Sequence, residues 1–197
     1  MSTTKVLTIV FGLIAAGLAY FLYNSIDSSI EETKRIGKLE ARIIEQLKMI
    51  REAELAFEAV NGQYTSNWDN LIAFVDSGSF YITEKTEYVK TLDYGADSTY
   101  TIVDTLGTVP VMDSLFTPKK WPRFHLAELP FVPNSDPKVK FDIWADKIDK
   151  SGVTVNVIEV VNPQPVDKSR DPESEIPGRR PLRFGSRTNV TTAGNWE

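Results

Sequence analysis

The sequence predicts an α+β protein: a long N-terminal helix, membrane-spanning at first and a stalk thereafter, packs on a small antiparallel β-sheet domain that carries an extended C-terminal arm. Three observations carry this reading. Residues 6–23, VLTIVFGLIAAGLAYFLY, hold no charge. Ile36, Ile43, Ile50 and Phe57 then recur every seven residues, with Leu39, Ala53 and Val60 interleaved. After Phe80 the apolar period changes from that of a helix to two, the period of a strand.

The uncharged run is just long enough to cross a hydrocarbon core of about 30 Å at 1.5 Å per residue. Its anchoring side chains are Val6, Ile9, Phe11, Leu13 and Leu18, and Tyr20 and Tyr23 fall where aromatic rings favour the membrane interface. Lys5 is the one cation ahead of it, and bulky Tyr20, Phe21, Leu22 and Tyr23 follow its small residues. These features predict an uncleaved anchor rather than a removed signal peptide. The expected segments are 1–5 (short N-terminal segment), 6–23 (transmembrane helix), 24–61 (amphipathic stalk), 62–161 (exported α+β domain) and 162–197 (Pro/Arg-rich arm). Lys34, Arg35, Lys38 and Arg42 would vote for a cytoplasmic body, but none lies within ten residues of Tyr23. A signal-anchor normally exports the chain on its C-terminal side. The expected placement is therefore the bacterial inner membrane, single-pass, with a periplasmic C-terminal domain.

The stalk has no strong breaker before Asn61-Gly62, and Gly37 is its weakest interior point. Its apolar stripe needs a partner. Residues 50–60 are expected to pack on the protein's own sheet. Ile36, Leu39 and Ile43 are assigned to a partner protein or another copy of the chain. Ser66 or Asn67 can cap a short helix from Trp68 to about Val75, with Leu71, Ile72 and Val75 on its buried side. Strands are predicted at 80–84, 99–104, 139–145 and Val153–Val161, the last two joined as an antiparallel hairpin by KIDKSG. Pro110, Pro118, Pro122, Pro130, Pro133 and Pro137 punctuate a loop rich in apolar groups, which suits a loop laid on the core or on a partner. Beyond Asn162 the composition of Pro, Ser, Gly and alternating charge predicts an arm outside the core, docking through Arg180, Leu182, Phe184 and Trp196.

Most chemistry is excluded by composition. A net charge of -5 gives no reason to expect nucleic acid, and the absence of cysteine removes disulfides, thiolate metal sites and a cysteine nucleophile. The single histidine, His125, lies in the proline-rich loop. Ser135 and Lys138 match an S-x-x-K spacing, but Pro137 prevents the helix that motif needs. Asp142, Asp146 and Asp149 lack the alternating ligands and glycine of a calcium loop. No metal, cofactor or catalytic activity is expected. Asp97-Ser98-Thr99, Asp104-Thr105-Leu106 and Asp113-Ser114-Leu115 match the acceptor tripeptide of a bacterial periplasmic O-glycosylation pathway, making Ser98, Thr105 and Ser114 possible acceptors. Asn189-Val190-Thr191 is an N-glycosylation sequon.

Two resemblances rest on these residues. IREAELAF at 50–57, VNGQY at 60–64 and then Leu71 resemble the helix-to-head junction of type IV pilins and type II secretion pseudopilins. That likeness implies a helix with one half in the membrane and the other packed on an antiparallel sheet. The chain departs from the family in having no processing site followed by Phe and no glutamate within residues 6–23. More broadly, the layout and the GNWE sequence at 194–197 resemble single-span envelope proteins, which imply no activity. The function expected is that of a non-enzymatic structural or accessory subunit of an envelope-spanning assembly for secretion, motility or transport. Its partners would be the lipid bilayer and other membrane or envelope proteins, or its own copies through the stalk. The alternatives are a pseudopilin-like filament subunit and a periplasmic ligand-binding or sensing module using the aromatic loop 121–131.

Overall fold

The computed structural model describes residues 3–91 and 97–197; the side chains of 3–6, 9, 24, 26–28 and 91 also lie outside the description. One helix, α1 (Thr3–Asn61), runs unbroken through 59 residues and across Gly37. At 1.5 Å per residue it is about 90 Å long. It stops where Gly62 adopts φ 73°, with the Gly62 amide donating to the Glu58 carbonyl at 2.7 Å, the left-handed cap that glycine favours. Every described side chain from Leu7 to Arg35 is exposed. The last third is the spine of the head: Ile43, Leu47, Ile50 and Ala53 are at most 1% exposed. Their spacing of four, three and three keeps them on one helical face. Phe57 extends that face and meets Phe74 edge-on at 5.2 Å.

The second helix, α2 (Trp68–Ser77), starts as expected: the Asn67 side chain accepts from the amides of Asp69 and Asn70. Leu71 and Val75 are fully buried against α1. Two strands follow, β1 (Ser79–Thr91) and β2 (Asp97–Pro110), paired antiparallel in a two-stranded ribbon. The strands expected at 80–84 and 99–104 are thus the first parts of much longer ones. Thr, Tyr, Lys and Glu interrupt the apolar alternation because both faces of the ribbon meet solvent. The short helix α3 (Val111–Leu115) returns the chain to the core through fully buried Val111.

The proline-punctuated loop lies on the core, one of the two placements its composition suits. Phe116, Leu129 and Val132 are buried, and Trp121, Phe124 and Leu126 pack against them. A second antiparallel sheet has the order β3–β4–β5: β3 (Asp142–Lys150), β4 (Val153–Val161) and β5 (Arg183–Gly185). β4 has its predicted bounds. β3 begins later than expected because residues 139–141 bond to the loop instead: the Val132 amide donates to the Val139 carbonyl and the Phe141 amide to the Pro130 carbonyl. The hairpin turn is also tighter, reduced to Ser151 and Gly152 at φ 56° and 83°, the signs of a primed two-residue turn.

The arm differs most from expectation. Residues 162–197 do enter the core, supplying the third strand together with Leu182 and Phe184, each 1% exposed. Composition misleads here because a long helix and a sheet edge already stand ready to cover two apolar side chains. Gly185 shows how close the fit is: at φ 81°, an added Cβ would stand 2.0 Å from the Ile158 carbonyl oxygen.

Candidate functional site

Three side chains of α1 were expected to face a partner, and the structure separates them. Ile43 is 1% exposed and belongs to the hydrophobic core, so its assignment to a partner surface is corrected. The head begins seven residues earlier on the stripe than local sequence reveals, with Ile43 joining a core that Leu129, Val132 and Phe141 reach from far along the chain. Leu39 is half-buried and lines an open groove of about 320 Å³ with Val132, Pro133 and Val166. Ile36 is half-buried, and Ile30, nearer the N-terminus, is exposed. The polar interruption Gln46 has a structural use: its Nε2 donates to the carbonyls of Glu128 and Leu129 at 2.9 and 3.0 Å, tying the loop to the helix.

Arg180, Leu182, Phe184 and Trp196, expected on a docking arm, are brought onto the head. Leu182 and Phe184 are core residues and are corrected on that ground. Half-buried Arg180 donates from Nε to the Ser174 carbonyl, a bond within the arm. The Trp196 ring lies 6.0 Å from the Arg51 guanidinium, and Arg51 pairs with Glu197 at 2.7 Å. The arm's main fastening is one that sequence reasoning missed. Arg170 grips Glu40 of α1 through Nε at 2.5 Å and Nη2 at 2.9 Å, and its Nη1 holds the carbonyls of Gly178 and Arg180. The Glu40 carboxylate raises the Arg170 pKa further above its usual value. A bidentate pair 130 residues apart in the chain carries no sequence signal beyond two unremarkable charges.

Two carboxylates are buried. Glu159 accepts from Arg183 at 2.9 Å and from Arg187 at 2.8 Å, and Arg187 lies over the Trp144 ring at 5.3 Å. Glu54 is 1% exposed; its Oε2 accepts from the Thr65 amide at 3.1 Å, while Oε1 has no partner among the described residues. Burial pushes its pKa up to about 8, with the Thr65 amide opposing.

The motifs singled out for chemistry make local contacts. Ser135 bonds to the Val132 carbonyl and accepts from the Val139 amide, while Lys138 pairs with Glu128 at 2.6 Å, so the S-x-x-K match is two unrelated local contacts. His125 is exposed. Among the described residues no group of acidic or histidine side chains could hold a metal. Ser98 and Thr105 are exposed on β2, and Ser114 is exposed on α3 rather than in extended chain. Trp121 donates to Glu52 at 3.3 Å and Phe124 stacks on Phe116 at 4.0 Å, so the aromatic loop spends its rings on packing.

The exposed apolar surface is concentrated in two places. One is the N-terminal helix, where Phe11 is 62% exposed, Leu13 69%, Leu18 60%, Tyr20 74% and Tyr23 71%. Among the described residues no helix is long and apolar enough to cross a membrane. The side chains of Val6 and Ile9, which head the expected anchor, lie outside the described residues. The other is the β1–β2 ribbon, which bares Tyr81, Ile82, Tyr88, Val89, Tyr100, Ile102, Val103 and Leu106. Sequence reasoning found strands at 80–84 and 99–104 here and assigned them no surface role. No protein-family model matches the chain, and neither a curated protein nor a solved structure matches it.

Proposed function

We propose that the chain is a membrane-anchored, non-enzymatic subunit of a bacterial envelope assembly, working by protein–protein contact, with its head on the periplasmic side. The observation that carries this reading is the division of α1. Its last third is the core of the head, whereas every described side chain from Leu7 to Arg35 is exposed. Soluble proteins rarely bare a contiguous apolar surface of such length, and lipid or partner helices would cover it. Residues 6–23 would sit in the bilayer, and the helix beyond would carry the head away from it. Ile36 and Leu39 form the remaining partner stripe, with Ile43 removed from it. A pseudopilin-like filament subunit is the second reading, favoured by one helix serving both the exposed shaft and the head.

The test is crosslinking of intact cells, mild-detergent purification of the full chain and identification of the proteins that accompany it. A stoichiometric set of envelope proteins is expected. Ile36→Asp should lose that set without lowering the melting temperature of the head. Purification of the wild-type chain with no companion protein would overturn the subunit reading.

A further inference from the structure

We propose that the outer edge of β1 pairs with the same edge of a second copy of this chain, joining two ribbons into one four-stranded antiparallel sheet. This names one contact of the subunit proposed above, and it stands on a different part of the molecule from the helix.

The ribbon is poorly provided for as it stands. Two strands alone are marginally stable in water, and three or more with an apolar face are the usual minimum. Among the described residues no strand lies beside the outer edge of β1 or of β2. Both faces bare large apolar groups. Ile82, Tyr88, Tyr100 and Ile102 share one face, with Tyr88 and Tyr100 stacked at 5.4 Å, and Tyr81, Val89 and Val103 share the other. The pairing of Ile82 with Gly107 and Thr83 with Thr105 leaves Leu106 as the extra residue on β2, so β1 runs without a bulge. Proteins commonly protect such edges with bulges, prolines or charged side chains. β1 has neither bulge nor proline, and its charges are balanced: Glu84, Lys85, Glu87 and Lys90.

Those charges select both the partner and the register. Antiparallel pairing about a two-fold axis through Thr86 sets Lys85 opposite the partner's Glu87, and Glu87 opposite the partner's Lys85. Opposite charges directly across an antiparallel pair are favourable, as is a Thr–Thr pair at the centre. The same register lays Ile82 beside the aliphatic stem of the partner's Lys90 and Thr83 beside the partner's Val89. Centring the pair on Lys85 would oppose two lysines, and centring it on Glu87 would oppose two glutamates. A two-residue slip in either direction therefore puts like charges across the axis. β2 cannot substitute, since it carries Asp97 and Asp104 and no cation.

Because the chain has no cysteine, a single introduced thiol reports the pairing cleanly. In the full chain, in membranes, Thr86→Cys would face its own copy with Cβ atoms about 4.5–5.5 Å apart, close to the span of a disulfide. Mild oxidation should yield a reducible dimer from Thr86→Cys and none from Ser98→Cys, which lies on β2. Adding Lys85→Glu should cut the dimer yield roughly fivefold by opposing two acids, and adding Glu87→Lys as well should restore it. A monomeric Thr86→Cys chain, or a yield indifferent to the charge variants, would overturn the proposal. If the envelope proteins still co-purify in that case, only the ribbon contact fails. If neither dimer nor companions are found, the subunit reading fails with it.

Discussion

Glu54 lies where α1 meets the chain returning into α2, one carboxylate oxygen on the Thr65 amide and the other bonded to nothing described. Its folded-state pKa, pushed up to about 8, exceeds the ordinary value of 4.5. Between those values the folded state binds more protons than the unfolded, so stability is greatest below the lower value and falls as pH rises toward the upper. One such group gives a slope of at most about 1.4 kcal/mol per pH unit. Urea titrations from pH 5 to 8 should show declining stability, and Glu54→Gln should flatten that decline. An unchanged slope in the variant would place the pH dependence elsewhere. Gly185 makes a second residue-level prediction. With φ positive and the Ile158 carbonyl filling the space a Cβ would take, Gly185→Ala should cost more than the about 1 kcal/mol typical of a point substitution. Melting by circular dichroism checks it. Neither effect was legible in sequence: Glu54 reads as one more charge on the helix, and Gly185 as one more glycine in a polar arm.

At the level of elements, β4 and α2 were legible because each carries its own periodicity and α2 its own cap. β5 was not, since the three residues Arg183–Gly185 are too few to show alternation; its place is set by the edge of β4. Phe184→Ala should therefore cost roughly 3–5 kcal/mol, as for other buried aromatic truncations. Deleting residues 162–197 should unfold the head rather than merely release an arm, with loss of the cooperative urea transition as the readout. A deletion variant that melts like the parent would restore the view of the arm as an appendage. The Glu40–Arg170 pair, with side chains 17% and 13% exposed, is the arm's clasp on α1. A double-mutant cycle with Glu40→Ala and Arg170→Ala should give a coupling energy of about 0.5–3 kcal/mol, the range for partners in one network.

On the scale of the whole molecule, the α+β class and the long helix were readable because a period of about 3.6 sustained over tens of residues is hard to mistake. Where the head takes over from the shaft was not. Ile36, Ile43 and Ile50 look alike in sequence, yet the second and third join a core that also draws Leu129, Val132 and Phe141 from far along the chain, while the first stays at its margin. The proposed function depends on that boundary: a core on one side of it, and on the other an apolar shaft the protein does not itself cover. Alkaline extraction of membranes carrying the full chain tests this most directly. The expected result is that the wild-type chain stays with the lipid, whereas Leu13→Lys with Leu18→Lys releases it into solution with the melting temperature of the head unchanged. Release of the wild-type chain by the same treatment would contradict the anchor, and with it the central claim.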